Sequence, residues 1–375
     1  MRLALRELRR TPGRFLVATI TISLIAVLLM FLGALLDGLI QLSTGSIQAQ
    51  RGQVIVMSSD SRGVLNASSV TADERQAVTA AVEETADGTD PVVGGYGEVT
   101  VGARLAGGDE RELTSVRVRG YEIAPTGLPA TPPAAGEVWA DPDLVSDYAV
   151  GDVLQLGPGR VEVLIVGFLD RSETPSLGGV WGSLDTWRDV LAGSRPGSTV
   201  PGDFIQGLVV DLGPAAEDAL PAATTSIEDA GLAAFSLDEA SQAIPGVSAQ
   251  RTTFNQIIAV TTVIGLVVIA LFFALLTAER VGLYGVLKAV GARSGALFAG
   301  VATQAIAICL IASLVGLAMI AGAAFAIPPG SLPFVVTPAR IAISVGLLLT
   351  AAIIGSVFSL RTVLRIDPAQ AIGGS

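Results

Sequence analysis

The chain has 375 residues, of which 51% are hydrophobic and 15% charged, with a mean hydropathy of +0.63. A soluble domain of this length carries about 25% charged residues, so the composition favours a membrane protein, and no nucleic-acid partner is expected. The net charge of −11 hides a division, because 30 of the 34 Asp and Glu residues lie between Ser43 and Gln250 beside 11 Arg, leaving that stretch at −19 and the remainder at +8.

In chain order, residues 1–13 place Leu3, Leu5 and Leu8 among Arg2, Arg6, Arg9 and Arg10. This suits an amphipathic helix on the inner membrane surface, or a basic flank that serves topology alone. A bilayer core of about 30 Å takes roughly 20 apolar residues as helix, and four segments meet that test: 14–42, 251–278, 295–327 and 340–361. The first has an apolar run too long for a cleaved signal peptide, and no small-residue cleavage pattern follows it.

Arg and Lys set the orientation. The N-terminal flank, the 279–294 loop with Arg280, Lys288 and Arg293, and the 362–375 tail (flanked by Arg361, with Arg365 inside it) share one side of a four-helix topology. Positive-inside puts these flanks in the cytoplasm of a multi-pass plasma-membrane protein. The acidic 43–250 region and the short 328–339 loop then lie outside.

Within 43–250, the runs Gly52–Met57, Glu98–Leu105, Leu113–Arg119, Val161–Phe168 and Phe204–Leu212 read as strands. Thr71-Ala-Asp-Glu74 is a capping-box pattern that opens a helix to about Ala86. Pro214–Ala230 and Leu237–Ile244 also read as helical. The expected fold is an integral membrane α-helical protein of four transmembrane helices, with an extracellular α+β domain inserted between the first two.

Chemistry is sparse. The chain has no His and a single cysteine, Cys309, so it lacks the commonest general base and cannot form an intrachain disulfide. The carboxylates of the middle region offer no preferred pair and read as a solvated acidic surface. No catalytic residues and no cofactor of its own are expected. A pump needs energy, yet no G-x-x-x-x-G-K-[ST] phosphate loop occurs, so the ATPase of a transporter built on this chain is a separate subunit. Four spans are few for a translocation path, and two copies on a two-fold axis are expected.

Three motifs carry a resemblance. The start L-A-L-R-E-L-R-R-T-P-G-R-F, the loop A-E-R-V-G-L-Y-G-V-L-K-A-V-G-A-R and the end L-R-I-D-P-A-Q-A-I resemble FtsX/MacB-type permeases of type VII ABC transporters. Short matches at Met1-Arg-Leu-Ala-Leu-Arg-Glu, Leu332-Pro-Phe-Val-Val-Thr337 and Asp367–Ser375 resemble the HrtB group of haem-exporter permeases, with the DevC group behind it. The resemblance implies a homodimer on two cytoplasmic ABC ATPase subunits, and export driven by movement of the outer domains. The family loop carries a further Glu after E-R; here Leu283 and Tyr284 stand in its neighbourhood, which puts that polar contact in doubt. A helix from Glu279 to about Val290, stopped at Gly291-Ala292, would dock on the ATPase through Glu279, Arg280 and Lys288, or those charges serve only as topology anchors.

For a haem substrate, iron ligands are His, Met, Cys or Tyr, which leaves Met30, Met319 and Cys309 within the spans. Met30 lies about 22 Å into the bilayer at 1.5 Å per residue. Either two copies of Met30 clamp the iron across a dimer axis, or Met30 is adaptable packing; Cys309 and Met319 read as packing. Asp37 is the only acid within a span, and is a functional candidate or a residue that reaches the headgroups. Gln41, Arg51 and Arg251 lie near the outer mouth, where either arginine could receive the substrate's carboxylates. Two other functions fit the same layout: a lipoprotein, peptide or glycolipid exporter, and a non-transporting mechanotransmitter that controls a cell-wall hydrolase.

Overall fold

The computed structural model describes residues 12–85, 90–108, 112–171, 177–195, 197, 199–213, 216–279, 286, 290, 294–328 and 331–364. The chain divides into two compact units. One comprises residues 1–38, 251–327 and 334–375; the other comprises residues 39–250 and 328–333.

The first unit is helical. Among the described residues, α1 (Pro12–Gln48), α6 (Val247–Ala278), α7 (Ser294–Ala326) and α8 (Pro338–Leu364) are four helices long and apolar enough to cross a membrane. Along α1, Ala18, Ile22, Ala26 and Leu29 recur at helical spacing and bury one face against Ile269 and Phe273 of α6, Ala305, Ile308, Cys309 and Ala312 of α7, and Leu348, Ala351 and Ala352 of α8. Small residues dominate that list. Lipid tails are as apolar as Leu, so packing within a bilayer depends on close van der Waals approach, which small side chains permit. Gly316 and Gly355 are points of close approach, where an added Cβ would lie 3.0 Å from Ala26 Cβ and 3.1 Å from the Ala270 backbone. Leu16, Ile20, Leu24 and Leu28 form the exposed stripe of α1.

Helix α1 runs past Leu42 to Gln48, so the inserted region opens on helix where the sequence suggested a boundary. Ser43 and Thr44 do not break it, because their hydroxyls donate back to the carbonyls of Leu39 and Ile40. Helix α8 starts cleanly. Pro338 takes the first helical position, where its missing N–H costs nothing, and Thr337 Oγ1 accepts the Arg340 N–H at 3.2 Å.

The inserted unit is α+β. Its strands are β1 (Val54–Ser58), β2 (Val92–Leu105), β3 (Thr114–Tyr121), β4 (Glu137–Ala140), β5 (Val153–Leu156), β6 (Val161–Phe168), β7 (Gly179–Ser183), β8 (Gly207–Asp211) and β9 (Leu232–Ser236). Helices α2 (Ala72–Thr85), α3 (Leu184–Ser194), α4 (Ala216–Asp229) and α5 (Leu237–Ala243) accompany them. The order β3-β7-β4-β6-β5-β2, with β3 also paired to β2, closes a ring, and β8, β1 and β9 extend the sheet from β2.

Alternation along each strand sorts the side chains. Val116 and Val118 of β3, Leu154 and Leu156 of β5, and Val163 and Ile165 of β6 fill one core. On β1, Val54 and Val56 pack towards Val78 and Val82 of α2 and Ile227 of α4. Ile55 and Met57, facing the other way, join Ile47 and Ala49, which follow from the last turns of α1. The expected capping box is present, with the Thr71 N–H donating to Glu74 Oε2 at 2.8 Å and the Glu74 N–H to Thr71 Oγ1 at 3.3 Å.

Candidate functional site

Within the helical unit, a strap formed by the residues before α8 lies along one ridge of α1. Phe31, Ala34 and Asp37 stand three residues apart, so they trace a single i, i+3 row on the helix surface. Phe334 packs its ring on Phe31 with centroids 5.4 Å apart. The Val335 N–H then donates to the Ala34 carbonyl at 3.1 Å. Finally Thr337 Oγ1 donates to Asp37 Oδ2 at 3.1 Å, Arg340 Nε donates to the same oxygen at 3.1 Å, and Arg340 Nη2 reaches Asp37 Oδ1. Both charged side chains are about four-fifths covered, at 19% and 20% exposure. Gly33 makes room for this, since an added Cβ would strike the aliphatic stem of Arg340.

Asp37, expected as a functional candidate or a headgroup contact, is thus the acceptor in a half-buried ion pair. Its partner Arg340 was passed over in the sequence. The signal was there: Arg340, like Arg51 and Arg251, is a base at the far end of a span from the basic flanks, and it shares that end with the only carboxylate in a span.

The remaining candidates sit differently. Met30 is 2% exposed, which favours the packing reading of that residue in this conformation. Gln41 is half-buried on α1, and Arg51 and Arg251 are exposed. Cys309 is fully buried in the helical core and Met319 is half-exposed. At the proposed coupling loop, α6 ends at Ala278 and the Glu279 N–H donates to the Leu275 carbonyl at 3.0 Å. Further on, the Val290 N–H donates to the Val286 carbonyl at 3.0 Å. Arg280, Lys288, Gly291 and the N-terminal amphipathic segment lie outside the described residues.

The inserted unit holds a second constellation, and here the expectation of a purely solvated acidic surface fails. Glu98 faces Arg119 across β2 and β3, and Arg119 faces Trp181 across β3 and β7. The pleat therefore puts Tyr96, Glu98, Arg117, Arg119, Tyr121 and Trp181 on one face of the sheet. Arg119 and Asp141 are both fully buried with Nη1 and Oδ2 2.8 Å apart. Trp181 Nε1 donates to the other oxygen of Asp141 at 3.0 Å, and the guanidinium carbon lies 4.8 Å from the Trp181 ring centroid. Glu98 accepts from Tyr96 Oη at 3.1 Å and pairs with Arg119 at 3.4 Å and with Arg117 at 3.2 Å. Burial opposes the Arg119 charge, yet Asp141, Glu98 and Tyr96 together hold its pKa above the ordinary value. Burial, with Glu98 beside it, pushes the Tyr96 phenol well up.

Arg117 ties this network to the end of α1. Its Nη1 donates to the Leu42 carbonyl at 2.7 Å, within the last two turns of α1. Gln48 adds bonds to Asp238 and Ser241. The last turns of α1 are therefore fastened into the inserted domain by charge-assisted bonds, which are the stronger kind. Among the described residues, no cluster of three or more His, Cys, Asp or Glu is placed to hold a metal ion.

Residues 255–368 match the FtsX-like permease C-terminal family. Over 131 residues the chain is 27% identical to the hemin transport system permease protein HrtB of Staphylococcus haemolyticus (strain JCSC1435), a stretch that is 35% of this chain and 37% of that protein. The matched region is thus little more than a third of that relative. Among solved structures, the periplasmic region of MacB from Actinobacillus actinomycetemcomitans overlaps 52% of this chain and 94% of that one, at 9% identity and a TM-score of 0.36.

Proposed function

We propose, starting from a chain that is an FtsX/MacB-type ABC permease, that it exports haem or a similar membrane-partitioning amphiphile. The observation that carries this reading is the family match over the three C-terminal spans, together with the stretch shared with a hemin transport permease. In this reading the basic flanks and both termini face the cytoplasm, and the inserted domain lies outside the cell membrane. Two copies associate through their spans, and each engages one copy of a separate ATPase through the 279–294 loop.

The geometry supports a division of labour. Among the described residues, the apolar spans carry a fixed ion pair, Asp37–Arg340. A charged group in a bilayer is costly and persists where it is paired or used. The inserted domain holds the end of α1 through Arg117 and through Ile47 and Ala49 in its core.

The test is to purify the protein from haem-fed cells and record its absorption spectrum, alongside haem tolerance of a deletion strain. A Soret band and a haem-sensitive deletion strain are expected. A colourless protein with unchanged tolerance would reject haem as the cargo, and a bound lipid or peptide in its place would favour the lipoprotein, peptide or glycolipid reading.

A further inference from the structure

The Asp37–Arg340 pair leaves half of a guanidinium unused. Arg340 engages Asp37 along its Nε–Nη2 edge, and among the described residues Nη1 makes no hydrogen bond. Asp37 in contrast accepts three bonds, from Nε, Nη2 and Thr337 Oγ1. A guanidinium has five N–H donors in a planar fork, so one carboxylate does not exhaust it. Asp37 and Thr337 fix the plane of the fork, and Gly33 gives its stem a place to lie. The free edge belongs to a side chain that keeps 19% of its surface open.

Phe31, with the Phe334 ring packed on it, lies six residues before Asp37 on α1, about 9 Å back along the helix at 1.5 Å per residue. Both rings are only partly covered. An oriented cation with a spare bidentate edge, about 9 Å along α1 from two partly buried rings, matches an amphiphile that has an apolar body and a terminal carboxylate.

We infer that Arg340 is an anion subsite whose free edge binds the carboxylate of the transported amphiphile, while Phe31 and Phe334 contact its apolar body. This rests on the exporter reading above and names the cargo class as an anionic amphiphile. Asp37 is a positioning residue in this arrangement. It orients Arg340 and, as a resident carboxylate, lowers the affinity for the incoming one enough to permit release.

The experiment uses full-length protein in phosphatidylcholine nanodiscs and two fluorescent probe pairs: dansyl-undecanoic acid with its methyl ester, and protoporphyrin IX with its dimethyl ester. The wild type is expected to bind each acid about tenfold or more tightly than its ester, the scale of one charge-assisted bond. Arg340→Gln should erase the preference, as should the charge-neutral double variant Asp37→Asn/Arg340→Gln, which keeps no unpaired charge and guards against misfolding. Asp37→Asn should strengthen acid binding, whereas Phe334→Ala should weaken acid and ester alike. Equal binding of acid and ester by the wild type, or a preference that survives Arg340→Gln, would overturn the inference. Loss of the preference on adding phosphatidylglycerol would also overturn it, by giving the subsite to lipid headgroups. An acid preference with the dansyl pair and no binding of either porphyrin would uphold the subsite and reject haem.

Discussion

Asp37 and Arg340, 303 positions apart in sequence, meet as an ion pair within the helical unit, with Arg340 Nε 3.1 Å from Asp37 Oδ2. Removing one partner strands a charge that is four-fifths covered. Fully buried pairs broken in this way lose roughly 3–5 kcal/mol; the residual exposure here reduces that to about 1–2 kcal/mol. Asp37→Asn and Arg340→Ala should each lower the thermal midpoint in detergent. The charge-neutral double variant should recover most of the loss, as coupled neighbours do. Additive losses would show that the pair is not coupled.

Arg119 is held by Asp141, Glu98 and the Trp181 ring, with no exposed side-chain surface. Arg119→Ala leaves Asp141 buried without its cation, at a cost of about 3–5 kcal/mol. Arg119→Lys restores charge but not the fork that reaches Asp141, Glu98 and the Leu177 carbonyl together, so it should recover only part. Thermal unfolding followed by tryptophan emission checks this, because Trp181 reports directly on the site. Two midpoints equal to wild type would contradict the assigned network.

Asp143 gives an unusual pH dependence. Burial raises its pKa above the usual 3.8, against the Gly178 N–H that it accepts, and Asp141 adds repulsion. A carboxyl raised by folding binds its proton more tightly folded than unfolded, so its contribution to stability falls as pH rises from 3.8 through the folded value. Asp143→Asn keeps an acceptor for Gly178 and removes the charge. Its thermal midpoint should match or exceed wild type at pH 7, with the advantage shrinking as pH falls towards 4. Parallel curves for the two proteins would rule this out.

The coupling loop yields a prediction from sequence alone. Arg280→Ala/Lys288→Ala should insert normally yet uncouple ATP hydrolysis from export. Insertion is read by fractionation, and coupling by hydrolysis and export measured together. Export that stays coupled would leave those residues as topology anchors.

Much of the architecture was legible because period and length suffice for it. The four spans need only apolar runs, and Val161–Phe168 announces itself by alternation. The strands that escaped notice are short or plain: β4 and β5 have four residues each, β7 is Gly-Val-Trp-Gly-Ser, and β9 is Ala-rich. They are strands because neighbours pair with them, a tertiary cause. The extension of α1 through Ser43-Thr44-Gly45 likewise depends on the domain core that receives Ile47. The polar constellation of the inserted domain was illegible for the same reason, and that of the spans showed only as a base and an acid sharing one end. Nothing local links Asp37 to Arg340, and Arg119 joins Asp141 only once the ring of strands closes. Met30 shows the converse limit, since a residue suited to iron by type is covered in place.

The central claim is energised export of a haem-like cargo, and efflux from haem-loaded cells tests it most directly. A deletion strain carrying the wild-type chain, or an empty vector, is loaded with haem and washed, and cell-associated haem is followed over time with and without energy depletion. The account predicts faster loss with the chain present, and only in energised cells. Equal retention in both strains, or loss that ignores energy depletion, would contradict it.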